Sequence, residues 1–368
     1  MKRIIKNIFY NLFCLLPINN KVITFEVFSG KKYADSPRAI YEEIKKEKLD
    51  YICKWFMNKN NDVSNIDKND VVYKSTIKWL YYTAISKIWI KNTGAHGGFK
   101  KRNKQIYIQT WHGIPLKRMG LDSNRVEAVN KTYEVWDYVI SPNNYYNRCL
   151  NSCYRSKLNY LEIGYPRNDK FHNYSKEDVI KIKKELGIKE EKKIILYAPT
   201  FRDADISIDN KNINIVKIFK HFPNKYLILF RTHYFLNSDI NNIRNIMDVS
   251  AYNDISDLMI ISDVLITDYS SVLFDYLNLK KPMIFFAYDL EHYRDIERGF
   301  YLEYDELPGP IVKDGKDLLK AIKDINNYWK KYGVKYNKFI TEYCPYEDGQ
   351  ASKRAVDFII SIMKNRRK

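Results

Sequence analysis

Two series of short apolar, β-branched segments, with amphipathic helical stretches between them, constrain this chain most. The first series is VITFEVF (22–28), YICKWF (51–56), DVVYK (70–74), KIWIKN (87–92), QIYIQT (105–110), YVISP (138–142) and YLEIGYP (160–166). The second is IILYAPT (194–200), YLILFRTH (226–233), VLITDY (264–269) and PMIFFAY (282–288). Stretches such as PRAIYEEIKKEK (37–48) carry the helical period. Short apolar strands alternating with helices predict parallel sheets covered on both faces. At 368 residues the chain exceeds one ordinary core, so two α/β, Rossmann-like domains facing across a cleft are expected. The first spans 21–174 and the second 194–345. The charged stretch 175–193 reads as their linker, and 346–368 as a C-terminal helix packing back toward the first domain.

Four polar motifs fall at the carboxyl ends of these strands, where open α/β sheets bind ligands. QTWHG follows a strand of the first series; APTFRD, FRTHY and TDYSS follow strands of the second. In QTWHGIPLKRMG (109–120), His112 titrates near neutral pH and can take a proton from a hydroxyl. Gly113 permits close backbone approach, Pro115 fixes the turn, and Lys117 and Arg118 add positive charge. The plainer reading is a basic loop with an ordinary histidine; coincidence with three other strand-end motifs favours the functional one. Asp268 ends a strand, and Ser270 and Ser271 open a helix whose N-terminus favours an anion. Plain N-capping by these serines is the competing reading. Arg202, Arg231 and His233, at neighbouring strand ends, tip the balance toward a phosphate or diphosphate pocket.

Charge and cysteine content narrow the class. A net charge of +18, from 62 basic and 44 acidic residues, favours a polyanionic partner without choosing one. Five cysteines with no CxxC pair argue against a disulfide framework or zinc site. DAD (203–205) resembles a metal-binding DxD, but so short a match in basic surroundings is weak, and no metal is expected. GAHGGFKKRNK (94–104) lacks P-loop spacing and reads as a basic loop. His172, His221 and His292 lie in polar stretches and read as solvated. The 31 tyrosines are scattered rather than grouped on a strand face, against nucleic-acid binding. MKRIIKNIFYNLFCLLPINNK opens with Lys2, Arg3 and Lys6 before an apolar stretch. That stretch is shorter than the roughly 20 apolar residues a span needs and has no signal-type cleavage site. Residues 1–20 read either as an amphipathic helix on an anionic membrane surface or as a helix packed on its own domain.

The combination QTWHGIPLKRMG, GYPRND (164–169), YAPTFRD (197–203), RTH (231–233), ISDVLITDYSSVLFDYLNLKKPMIFF and YDELPGP (304–310) resembles the CDP-glycerol glycerophosphotransferases of bacterial teichoic-acid and capsule synthesis. The resemblance runs from about residue 20 to 345, in the family's order. It implies a GT-B-like fold with the donor nucleotide in the second domain. It also implies transfer of glycerol phosphate from CDP-glycerol, without metal or other cofactor, to an undecaprenyl-diphosphate-linked saccharide at the cytoplasmic membrane face. The chain is most similar to compact single-module members such as the glycerophosphate primase. By the same resemblance His112 is the base that deprotonates the acceptor hydroxyl, while His233, Arg202, Ser270 and Ser271 hold the diphosphate. Trp111, Gly113, Pro115, Lys117, Arg167, Thr200, Arg231, Asp268 and Asp275 complete the expected substrate site. Ile114, where Thr is common, and Tyr234 depart from the pattern. A ribitol-phosphate transferase, a nucleotide-sugar glycosyltransferase of the same fold and a non-catalytic polyanion-binding protein are the alternatives.

Overall fold

The computed structural model describes residues 3–94, 99–124, 131–189, 191–200, 215–231 and 245–364. Seven strands, β1 (Asn19–Glu26), β2 (Ile52–Met57), β3 (Val71–Tyr73), β4 (Ser86–Lys91), β5 (Ile106–Gln109), β6 (Tyr138–Ser141) and β7 (Tyr160–Glu162), form one sheet in the order β3-β2-β1-β4-β5-β6-β7. Six more, β8 (Lys193–Tyr197), β9 (Tyr226–Phe230), β10 (Ile246–Asp248), β11 (Val264–Thr267), β12 (Met283–Phe286) and β13 (Ile311–Val312), form a second in the order β10-β9-β8-β11-β12-β13. All pairings are parallel. The strands are apolar because both faces are covered: Ile23, Phe25, Ile88 and Ile90, and in the second sheet Ile195, Leu196, Leu265 and Ile266, are fully buried. Every strand expected from the sequence is present, though most end before their apolar run does. β10 and β13, three and two residues long, are not among the strands expected from the sequence.

The chain divides into two compact units: Met1–His112 with Ala128–Asp169 and Tyr346–Lys368, and Gly113–Glu127 with Lys170–Pro345. The excursion after His112 joins the second unit through backbone bonds. Arg118 N donates to Gly299 O at 3.1 Å, Tyr301 N donates to Leu116 O at 3.0 Å, and Lys117 bridges Phe300. The charged stretch 175–193, read from its composition as a linker, holds a helix, Lys176–Glu185, within the second unit. A capping box between Ser175 and Asp178 starts it and Ile182 buries against the unit, so its charges are the solvated face of a packed helix.

The helix Arg3–Phe13 has two apolar faces. Tyr10 is buried in a cluster with Phe56, Val72, Trp79 and Leu80, and its ring packs at a tilt against Phe99 with centroids 4.5 Å apart. Ile4, Ile8 and Leu12, one turn apart, stand exposed with Ile5, Leu15 and Leu16. Lys6 donates to Ser75 Oγ at 3.0 Å and lies over the Trp79 ring. Among the described residues no helix is long and apolar enough to cross a membrane.

Candidate functional site

In the first unit the strand order reverses between β1 and β4, the position at which doubly wound sheets bind ligands. His112 lies three residues beyond β5, which flanks β4. Its ring leans over the switch point, with Nδ1 2.9 Å from the Asn92 carbonyl just past β4. A carbonyl only accepts, so Nδ1 carries the proton and Nε2 presents a lone pair. Trp111 stacks on the imidazole with centroids 4.7 Å apart, and Phe28, beyond β1, meets it edge-on at 6.0 Å. By its accessible surface His112 is an exposed residue. Enough protein surrounds it, however, that desolvation is the largest influence and lowers its pKa, opposed by the Asn92 hydrogen bond and by Asp35. His112 is therefore neutral at neutral pH, the state a general base requires.

The backbone here is strained. Trp111 has φ 54° and Phe28 and Ser29 have φ 45° and 58°, left-handed values that large side chains avoid. Such residues cluster where a site fixes an unusual geometry. Gln109 Oε1 accepts from Trp111 N at 2.9 Å and helps hold the turn. Arg167, an expected substrate ligand, pairs instead with Asp35 at 3.3 Å and lies over the Tyr165 ring. Asp35 in turn accepts from the Asn92 amide at 2.8 Å. Sequence reasoning missed Asp35, Asn92 and Phe28; only Asn92, at the end of an apolar run, carried any local signal.

In the second unit the corresponding reversal lies between β8 and β11, and Asp268 bridges it. This residue is buried, and its Oδ1 accepts from Thr200 N, beyond β8, at 2.7 Å and from Tyr269 N at 2.5 Å. Asp268 Oδ1 thus braces the two strand exits. Beyond the adjacent β9, Arg231 Nη1 donates to Val249 O at 3.2 Å and Tyr252 O at 2.7 Å, tying down the loop after β10. Ser270 and Ser271 precede the short helix Val272–Tyr276, and Ser271 makes no side-chain cap. Ser270 Oγ approaches Val272 N at 3.4 Å, a long contact. Plain N-capping by Ser271 is thus not what the geometry shows. Asp275 sits within that helix, its carbonyl accepting from Asn278 Nδ2 at 3.0 Å.

Gly113 has φ 149°, available to glycine alone, and Pro115 is buried, while Lys117 is held by its backbone bridge. These three belong to the second unit, and Trp111, His112 and Arg167 to the first. Arg202, His233 and the DAD motif, with His96 of the Gly-rich loop, lie outside the described residues. Among the described residues no group of three or more His, Cys, Asp or Glu could hold a metal ion. None of the five cysteines is in a disulfide, and His172, His221 and His292 are exposed. A shallow cavity of about 750 Å³ lies in the second unit among Phe171, Tyr174, Val179 and Ile180; none of the expected site residues lines it.

Comparison with known proteins extends this picture. Residues 8–361 match the family model described as CDP-Glycerol:Poly(glycerophosphate) glycerophosphotransferase. The chain is 38% identical to a teichoic acid poly(glycerol phosphate) polymerase of Bacillus spizizenii, over 97% of this chain and 96% of that one. It is 39% identical to a teichoic acid glycerol-phosphate transferase of Staphylococcus aureus, over 96% and 97% of the two chains. A solved structure of the wall teichoic acid polymerase TagF superposes with a TM-score of 0.88 at 34% identity, covering 99% of this chain and 95% of that chain. The two parallel sheets and this match make the fold GT-B-like α/β.

Proposed function

We propose, for a chain that belongs to the CDP-glycerol:poly(glycerophosphate) glycerophosphotransferase family, a reaction that carries glycerol phosphate from CDP-glycerol to a lipid-linked saccharide and releases CMP. The protein is a transferase of teichoic-acid biosynthesis. The observation that carries the site assignment is the His112 ring, neutral and fixed by Asn92, with its Nε2 lone pair at a strand-end switch point. In the reaction the acceptor oxygen attacks the β-phosphorus and its proton passes to Nε2. The bond from that phosphorus to the bridging oxygen breaks, and the electron pair leaves with CMP. Phosphoryl transfer depends mainly on positioning and charge neutralisation. Arg202, His233, the Ser270 and Ser271 hydroxyls and the amides that follow them supply donors to the diphosphate, with no metal.

The test is an incubation of the purified protein with a lipid-linked saccharide and, in parallel, CDP-glycerol, CDP-ribitol and UDP-sugars. Mass spectrometry of the acceptor is expected to show added glycerol phosphate with the first donor. Growth of the acceptor only with ribitol phosphate or a sugar would overturn the donor assignment.

The acceptor lies in a membrane, and the exposed row Ile4, Ile8, Leu12 with Arg3 at its end supports peripheral docking at the cytoplasmic face. Because Tyr10 anchors the helix to its own unit, the informative change is on the outer face alone. Ile8→Glu with Leu12→Glu is expected to lower partition onto anionic vesicles by about tenfold or more, since each side chain contributes roughly 1.5–3 kcal/mol when buried. The melting temperature should stay at the wild-type value. Unchanged vesicle binding would rule out docking through this face.

A further inference from the structure

We propose that Asp35 is a positioning residue for His112, acting through the Asn92 side chain, and that Arg167 sets how strongly it acts. The inference rests on the reading of His112 as the base. Asn92 is fully buried, and its side chain is held at both ends: Oδ1 accepts from Phe28 N at 2.8 Å and Nδ2 donates to Asp35 Oδ2 at 2.8 Å. The amide therefore cannot turn, and the carbonyl of the same residue is fixed where it receives His112 Nδ1–H at 2.9 Å. Asp35 is itself held, Oδ1 accepting from Ser36 N at 2.7 Å and pairing with Arg167 Nη1 at 3.3 Å, and its side chain is 6% exposed. It also has φ 61°, a left-handed value tolerated by aspartate but retained only where the surroundings enforce it.

The arrangement has a chemical consequence. As His112 accepts a proton it becomes a cation, and the nearby carboxylate stabilises that form, while Arg167 opposes it. The other rings against the imidazole, Trp111 and Phe28, are uncharged. Glu26, Lys74 and Lys91, at the ends of β1, β3 and β4, pair among themselves at 3.1 Å. Burial pushes Lys91 down to about 8, against the pull of Glu26. Among the described residues, Asp35 and Arg167 are thus the charges that bear on the ring.

The test is an NMR titration of His112 in the full-length protein, wild type against Asp35→Asn and Arg167→Met, with kcat and KM for CDP-glycerol. Asp35→Asn keeps shape and removes charge. It is expected to move the His112 titration to lower pH and to reduce kcat by about tenfold, with KM for the donor little changed. Arg167→Met should move the titration to higher pH. Opposite displacements support the link; a wild-type titration in Asp35→Asn, whatever its turnover, overturns it. Should Asp35→Asn fail to fold, an unmoved or lowered titration in Arg167→Met overturns it equally. Full turnover in His112→Ala would defeat the base reading instead, and the titrations would still report on the link.

Discussion

Replacing His112 with alanine is expected to lower kcat by about a hundredfold or more while the affinity for CDP-glycerol barely changes. The tautomer fixed by Asn92 leaves Nε2 as the proton acceptor, and desolvation keeps the ring neutral at working pH. Alanine removes the proton acceptor. The same shift sets the pH dependence. A group whose pKa is lowered is protonated only at lower pH, so the acid limb of kcat/KM should lie below the ordinary histidine value. Stopped-flow or steady-state turnover with calorimetric donor binding checks both parts. A fall in donor affinity as large as the fall in kcat would make His112 a donor ligand and not the base.

Ser271→Ala, Arg202→Ala and His233→Ala should each weaken binding of CDP and CDP-glycerol and leave cytidine almost unaffected. Each removes a donor to a doubly charged diphosphate, and hydrogen bonds to charged groups contribute roughly 1.5–3 kcal/mol, on the order of tenfold to a hundredfold in affinity. For Ser271 the geometry supplies the reason, since the hydroxyl does not cap the helix it precedes. Titration calorimetry with the three ligands separates the cases. Equal losses for cytidine and CDP would place the residue at the nucleoside.

The sheets were legible because parallel strands covered on both faces must be apolar, and with them the strand ends beyond which the four polar motifs begin. Roles within the motifs were less so. Asp268 and Arg231 read as ligands, but what they touch depends on Thr200, Val249 and Tyr252, brought near by folding. Asp35 and Asn92 are 57 positions apart, and no local pattern joins them. The crossing of Gly113–Glu127 into the second unit escaped notice for the same reason: it is made by backbone bonds to 298–301, which leave no mark in composition. Charge misled once, where Lys176–Glu185 read as a linker and folds as a capped helix. Chain length also discriminates less than its compactness suggested, because a relative covered over 96% of its length is named a polymerase.

The most direct test of glycerol phosphate transfer is the nucleotide released from CDP-glycerol when wild-type protein meets a lipid-linked saccharide in EDTA. Attack at the β-phosphorus breaks the bond between the two phosphates and releases CMP; attack at the glycerol carbon would release CDP. Chromatography of the supernatant should therefore show CMP appearing in step with acceptor growth, with chelator present and at an undiminished rate. Release of CDP, or CDP-glycerol left intact with the acceptor unchanged, would contradict the account.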